Sequence, residues 1–215
     1  MKAIDPISFI RANLPLAPVP SIPEIQLHKA LPSSCLGRLA EQDEEGFGSP
    51  YWAYYWGGGL ALARYILDHP EAVAGRRVLD LGSGSGLVAI AAAKAGASAV
   101  TAAEVDHYAV AALGLNIAAN GVDVSVVHGD LTGGDPPCVD VALVGDLFYD
   151  RKLAERVTVF LDRCLVAGLT VFVGDPWRAY LPRSRLKTLV EYQVAETGSA
   201  ATKPSAVFAF QACAA

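Results

Sequence analysis

The sequence predicts an α/β fold: a seven-stranded, mostly parallel sheet, closed by an antiparallel hairpin and preceded by an N-terminal arm. Three observations lead there. Short apolar segments alternate with helix-length segments between residues 77 and 173, the pattern of a parallel sheet covered on both faces. The last two strand segments have no helix-length stretch between them, so they are expected to pair antiparallel. Prolines at 6, 15, 18, 20, 23 and 32 make the first fifty residues irregular and forbid a long helix there. The expected organisation is an arm over residues 1–50 and one domain over 51–215, with no internal repeat and no further linker.

The elements follow in order. The acidic, glycine-punctuated stretch Glu41–Gly48 is expected as a surface loop. Gly59 to His69 reads as a helix that Pro70 ends, and Arg77 to Leu81 as a short apolar strand. Gly86 to Ala95 is a helix stopped at Gly96, followed by a strand from Ala99 to Ala103. Asp106 can cap a helix running to Asn120, with Gly121 as its C-terminal stop. Val124 to Val127 is a strand, and Val139 to Val144 is apolar enough to be buried on both faces. Arg151 to Cys164 is a helix and Leu169 to Val173 another apolar strand. Val190 to Ala195 and Ala206 to Phe210 form the closing hairpin.

Composition bounds the function. Of 215 residues, 53 % are hydrophobic and 18 % charged, and the mean hydropathy is +0.34, which excludes a disordered chain. Seventeen Lys and Arg against 22 Asp and Glu give a net charge of −5. The basic cluster is Arg183, Arg185 and Lys187, too little for a nucleic-acid groove. Cys35, Cys138, Cys164 and Cys213 form no C-x-x-C pair and sit at no zinc-finger spacing from a histidine. They are expected to be reduced, mostly buried thiols of a cytoplasmic protein without a metal site. Asp5 and Pro6 stand where a signal peptide needs an apolar core, and the apolar stretch Leu87–Ala103 is broken by Lys94 and Gly96. No membrane association is expected.

Five signals carry chemistry. The first is Val78-Leu79-Asp80-Leu81-Gly82-Ser83-Gly84-Ser85-Gly86, directly after the first strand of the alternating region. Glycines here permit positive φ and a close approach of backbone to ligand. A nicotinamide fingerprint G-x-G-x-x-G fails at Leu87, and G-K-[ST] is missing, so a P-loop is excluded. D-x-G-x-G-x-G after a strand resembles the loop of Rossmann-like, class I S-adenosylmethionine-dependent methyltransferases, with Asp80, Gly82, Ser83, Gly84 and Gly86 expected at the cofactor. The second signal is Glu104, an acid about 20 residues past the loop, placed to accept from both ribose hydroxyls. The third is Gly129-Asp130-Leu131: Asp130 can accept from the adenine amine and Leu131 can stack on its ring. The fourth is Asp146-Leu147-Phe148-Tyr149 at a strand end, where open α/β sheets bind ligands. It is related to the D/N-P-P-Y/F tetrapeptide of amine and amide methyltransferases, whose first residue holds the acceptor nitrogen. Here the two prolines are replaced. The fifth is the aromatic cluster from Pro50 to Trp56 before three glycines. An aromatic face attracts a sulfonium by about 0.5–2 kcal/mol, which makes Trp56 a plausible cover for the cofactor.

Taken together, Pro23-Glu24-Ile25, PYWAYYWGGG at 50–59, VLDLGSGSG at 78–86, GDLFYD at 145–150 and Gly174-Asp175-Pro176-x-Arg178 resemble one family. They are similar to the lysine methyltransferases of the electron transfer flavoprotein β-subunit and their bacterial counterparts, within the seven-β-strand protein lysine methyltransferases. The resemblance spans about residues 22–210. It implies a catalytic Asp-x-x-Tyr pair, carried by Asp146 and Tyr149, S-adenosylmethionine as cofactor and the flavoprotein β-subunit as substrate. Gly57 stands where the family has proline, and Glu104 where aspartate is usual. Alternatives are a ribosomal-protein or small-molecule amine acceptor, or a non-catalytic interaction protein on this scaffold. Asp43, Glu44 and Glu45 would suit a basic partner. An ionised Asp146 would favour the lysine ammonium for capture, whereas the cofactor's positive charge favours the neutral amine; the two effects compete.

Overall fold

The computed structural model describes residues 5–42, 47–195 and 201–212. The described part of the first fifty residues is not irregular. It holds a helix α1 (Pro6–Asn13), an antiparallel hairpin of β1 (Leu16–Val19) and β2 (Ile22–His28), and a short helix α2 (Gly37–Gln42). The prolines forbid a long helix but not these elements. Pro6 sits at the first helical position, where its missing N–H is no loss, and Asp5 caps α1 by accepting from the Ser8 N–H. In a two-stranded hairpin both strands are edges, which tolerate Pro18 and Pro23. The expected loop at 41–48 begins inside α2; residues 43–46, and with them the acids Asp43 to Glu45, lie outside the described residues.

The helix α3 (Gly57–Asp68) starts two residues before its expected first turn, with Trp56 at its N-cap. Glycine there serves packing. A Cβ on Gly58 would collide with the Gly174 carbonyl oxygen, so only glycine lets α3 lie against the strand beneath it. Then follow β3 (Arg77–Leu81), α4 (Leu87–Lys94), β4 (Ala99–Glu104), α5 (His107–Asn120), β5 (Ser125–His128), β6 (Val141–Gly145), α6 (Arg151–Val166), β7 (Thr170–Asp175), β8 (Leu186–Val194) and β9 (Lys203–Phe210). Asp106 caps α5 by accepting from the Tyr108 and Ala109 N–H groups, and Gly121 ends it in the left-handed conformation. β6 opens at Val141 because Asp140 is engaged by Arg77, whose backbone N–H and guanidinium both donate to its carboxylate. β8 begins four residues before its expected start: it is an edge strand whose exposed Lys187 and Thr188 hide the strand pattern.

The sheet order is β5-β4-β3-β6-β7-β9-β8. Pairings from β5 through β7 are parallel, and β9 runs antiparallel to both β7 and β8. The order reverses between β3 and β6, which opens a crevice at their C-terminal ends. Leu60, Leu62, Ile66, Ile90 and the hairpin residues Ile22, Ile25 and Leu27 fill the core on one face. Phe148, Val157, Phe160 and Leu161 fill it on the other. Of the described cysteines only Cys164 is buried; Cys35 and Cys138 are exposed, so the thiols are less buried than expected. Burial pushes the Cys164 thiol up to about 11. Arg185 is buried and ion-paired with Asp162, so the expected basic cluster is not one face. No helix among the described residues is long and apolar enough to cross a membrane, and no group of three or more metal-ligating side chains occurs among them.

Candidate active site

A cavity of about 660 Å³ opens at the C-terminal ends of β3, β4 and β6. The glycine turn forms its floor. Gly82, Gly84 and Gly86 have φ of +67°, +54° and +86°, which L side chains resist. A Cβ on Gly82 would also come within 2.7 Å of Leu147 Cδ2. Asp80 lies buried under the turn. Its Oδ2 accepts from Ser83 Oγ at 2.5 Å and from the Ala89 N–H at 3.0 Å, joining the turn to the start of α4. Burial pushes this carboxyl up to about 7.

Glu104, at the end of β4, is 2 % exposed. Its Oε2 accepts from the Gly84 N–H at 2.8 Å; its Oε1 accepts from Tyr51 Oη and from the Val105 N–H, both at 2.7 Å. Desolvation, then the Glu104 charge, drives the Tyr51 phenol far above its usual range. Asp130 accepts from the Thr132 N–H at 2.8 Å and from Thr132 Oγ1 at 2.6 Å, with Arg156 at 3.4 Å; these partners, Thr132 first, hold its carboxyl below the usual range.

Asp146 follows β6 with φ +60° and is 8 % exposed. Its Oδ2 accepts from the Gly59 N–H at 2.7 Å, at the N-terminus of α3. Its Oδ1 accepts from Arg178 Nη2 at 2.7 Å and Nε at 3.1 Å. The residues replacing the two prolines have separate tasks: Leu147 packs on Gly82, and Phe148 is fully buried under α6. Tyr149 stands at the rim, 59 % exposed. Trp56 donates from Nε1 to the Tyr51 carbonyl at 3.1 Å, and the Arg178 guanidinium lies 5.9 Å from its ring centroid.

One cavity therefore brings together Trp56, Asp80, Gly82, Ser83, Gly84, Glu104, Asp130, Leu131, Asp146 and Tyr149. Gly86 does not line it. It stands at the N-cap of α4, where a Cβ would meet Leu113 Cδ1 at 2.5 Å, so its task is helix packing. Sequence reasoning gave no role to Tyr51, Arg178 or Asn116. Asn116 is fully buried; its Nδ2 donates to the Ser85 carbonyl and its Oδ1 accepts from the His28 N–H, each at 2.8 Å. A lone amide within the apolar run Leu113–Ala118 was the available signal.

A switch-point cavity with a glycine-turn floor and a ribose-height acid suits a nucleoside-bearing ligand, and the sheet order is that of a class I methyltransferase. The family model of ribosomal protein L11 methyltransferase (PrmA) matches residues 62–142. The solved 16S rRNA N2 methyltransferase of T. thermophilus in complex with AdoMet and guanosine shares the fold: TM-score 0.53 and 24 % identity, covering 74 % of this chain and 44 % of that one. The electron transfer flavoprotein beta subunit lysine methyltransferase of Rattus norvegicus is 39 % identical over 180 residues, 81 % of this chain and 70 % of the relative. That of Homo sapiens is 36 % identical over 197 residues, 88 % and 75 %. The chain belongs to the electron transfer flavoprotein beta subunit lysine methyltransferase family and is a methyltransferase.

Proposed function

We propose that the chain transfers methyl groups from S-adenosylmethionine to lysine side chains of the electron transfer flavoprotein β-subunit. One observation carries the acceptor: the likeness to enzymes named for that substrate extends over four-fifths of the chain. The ribosomal-protein family model ends at residue 142, before Asp146, and so covers the cofactor half without the acceptor end.

The residues fit the cofactor. The Gly82–Gly84 backbone and Ser83 would border its methionine portion, Glu104 its ribose, Asp130 and Leu131 its adenine, and Trp56 would cover the sulfonium. When bound, it supplies a methyl group on a positively charged sulfur. The chain's own residues must present the acceptor. A free lysine with pKa ~10.4 is about 0.1 % neutral near pH 7.5. Tyr149 at the rim and Trp56 would wall a channel that strips water from the amine. Asp146 would orient it by accepting a hydrogen bond, and aligning the two reactants supplies much of the remaining rate. Residues 1–50 would act as a docking arm for a folded protein substrate and 51–215 as the catalytic domain. The reading includes a cytoplasmic location, a reducing compartment in which the exposed Cys35 and Cys138 would stay thiols.

Incubation with methyl-tritiated S-adenosylmethionine and a lysate tests this reading. A labelled band at the flavoprotein β-subunit, missing with Asp146→Ala, is expected. Label confined to RNA or free amino acids would overturn the acceptor.

A further inference from the structure

An anion beside the acceptor amine aids capture but hinders chemistry, because it stabilises the ammonium that cannot attack. The structure holds an answer to that conflict. We propose that Arg178 is a positioning residue that cancels the charge of Asp146, so the acceptor lysine meets an oriented hydrogen-bond acceptor rather than a stabilising anion. This rests on the lysine methyltransferase reading above.

The geometry is specific. Both Arg178 donors fall on Oδ1 of Asp146, while the Gly59 N–H takes Oδ2. The pair is mostly sheltered, with side chains 25 % and 10 % exposed, so solvent screens it weakly. The guanidinium also lies 5.9 Å from the Trp56 ring centroid. Arg178 thus lies beside both the carboxylate and the aromatic ring that an ammonium would seek, and engages one carboxylate oxygen of the two. Its place is built into the fold. The Arg178 N–H donates to Asp175 Oδ1 at 2.6 Å, and Trp177, at φ +64°, turns the chain back with its ring edge-on to Phe208.

A fixed cation also repels a second cation, which lowers the lysine pKa directly. The amine's proton leaves to water before attack. The N–C bond then forms as the C–S bond breaks, its electron pair staying on sulfur, and the positive charge passes to the methylated nitrogen.

Other charges act on this pair or on the neighbouring Tyr149. Asp175 lies at the end of β7 and Asp150 in the turn after β6; Arg156 on α6 and Glu104 on β4 act on Tyr149. Burial pushes Asp175 up to about 6, at the lower edge of the pH range tested, so an Asp175→Asn background is needed as a control; burial pushes Tyr149 above its usual range.

The test is single-turnover methyl transfer to the flavoprotein β-subunit from pH 6.5 to 10, with saturating substrates. Wild type, Arg178→Lys, Arg178→Met and Arg178→Gln are compared, and folding is checked by S-adenosylhomocysteine calorimetry. The uncharged variants should move the midpoint of the rising rate upward by about one pH unit or more. Their deficit should therefore be about tenfold at pH 7.5 and shrink toward pH 10. Arg178→Lys should keep a midpoint near wild type. Adding Asp175→Asn should leave the shift in place. A deficit of constant size at every pH, or a lysine variant displaced as far as the uncharged ones, would overturn the proposal. So would loss of calorimetric binding in all three variants, which would make Arg178 a folding or cofactor residue. Wild-type enzyme that does not methylate the β-subunit would overturn the acceptor reading and this inference with it.

Discussion

Glu104 holds more of the site together than its place at the end of β4 suggests. One carboxylate joins the glycine turn, through Gly84, to the segment before α3, through Tyr51. Hydrogen bonds to a charged group are worth about 1.5–3 kcal/mol, so Glu104→Ala should weaken S-adenosylhomocysteine binding by roughly 10- to 100-fold in calorimetry. Wild-type affinity in that variant would remove Glu104 from the ribose. Asp175 offers a second measurement at this scale. It is fully buried with no partner on Oδ2, and its folded pKa, about 6, lies above the ordinary carboxyl value of 3.8. A carboxyl raised on folding costs stability once the unfolded group ionises, and that cost grows as pH climbs from about 4 to about 6. Asp175→Asn should therefore raise Tm at pH 7.5 and raise it less at pH 4.5. An equal or larger gain at the lower pH would contradict the assignment. Glu104, Asp146 and the turn glycines were legible because each has a fixed place relative to a strand end. Tyr51 and Arg178 were not, since their partners lie 53 and 32 residues away and no local pattern joins them.

At the scale of elements, the close seat of α3 on β7 and the plug under α6 decide the cavity's shape. Gly58 meets the Gly174 carbonyl, and the next N–H, of Gly59, reaches Asp146. Gly58→Ala should push α3 off the strand, lower Tm and reduce methyl transfer together; unchanged activity would mean the helix start is not needed for the site. Phe148 stands where the tetrapeptide of amine and amide methyltransferases has proline, and it is wholly inside the core. Phe148→Ala should cost about 3–5 kcal/mol in chemical denaturation. A loss below about 1 kcal/mol would argue that Phe148 serves the site rather than the core. Helices with a capping acid and a stop glycine were readable to the residue, as α5 shows. The hairpin in the arm is not: prolines argue against a helix without marking the edge strands that tolerate them. The β8 start escaped for a related reason, because an edge strand's exposed side chains blur the alternation that marks a strand.

At the scale of the molecule, the sheet order gathers Asp80, Glu104, Asp130 and Asp146 at strand ends or in the turns after them, and the N-terminal hairpin is bound into the same unit. Asn120 and Asn116 on α5 donate to or accept from Gln26 and His28 of β2. The parallel order could be expected from the alternation of strands and helices, while the insertion of β9 between β7 and β8 needed coordinates, since sequence shows a hairpin but not which strand lies inside. On this reading the chain is a methyltransferase whose acceptor is a lysine on the flavoprotein β-subunit. Peptide-mapping mass spectrometry after incubating the two purified proteins with S-adenosylmethionine tests it most directly. Whole methyl increments on lysine side chains, present with wild type and lost with Asp146→Ala, are the predicted result; an unmodified β-subunit, or methyl groups on glutamine or the N-terminal amine, would contradict it.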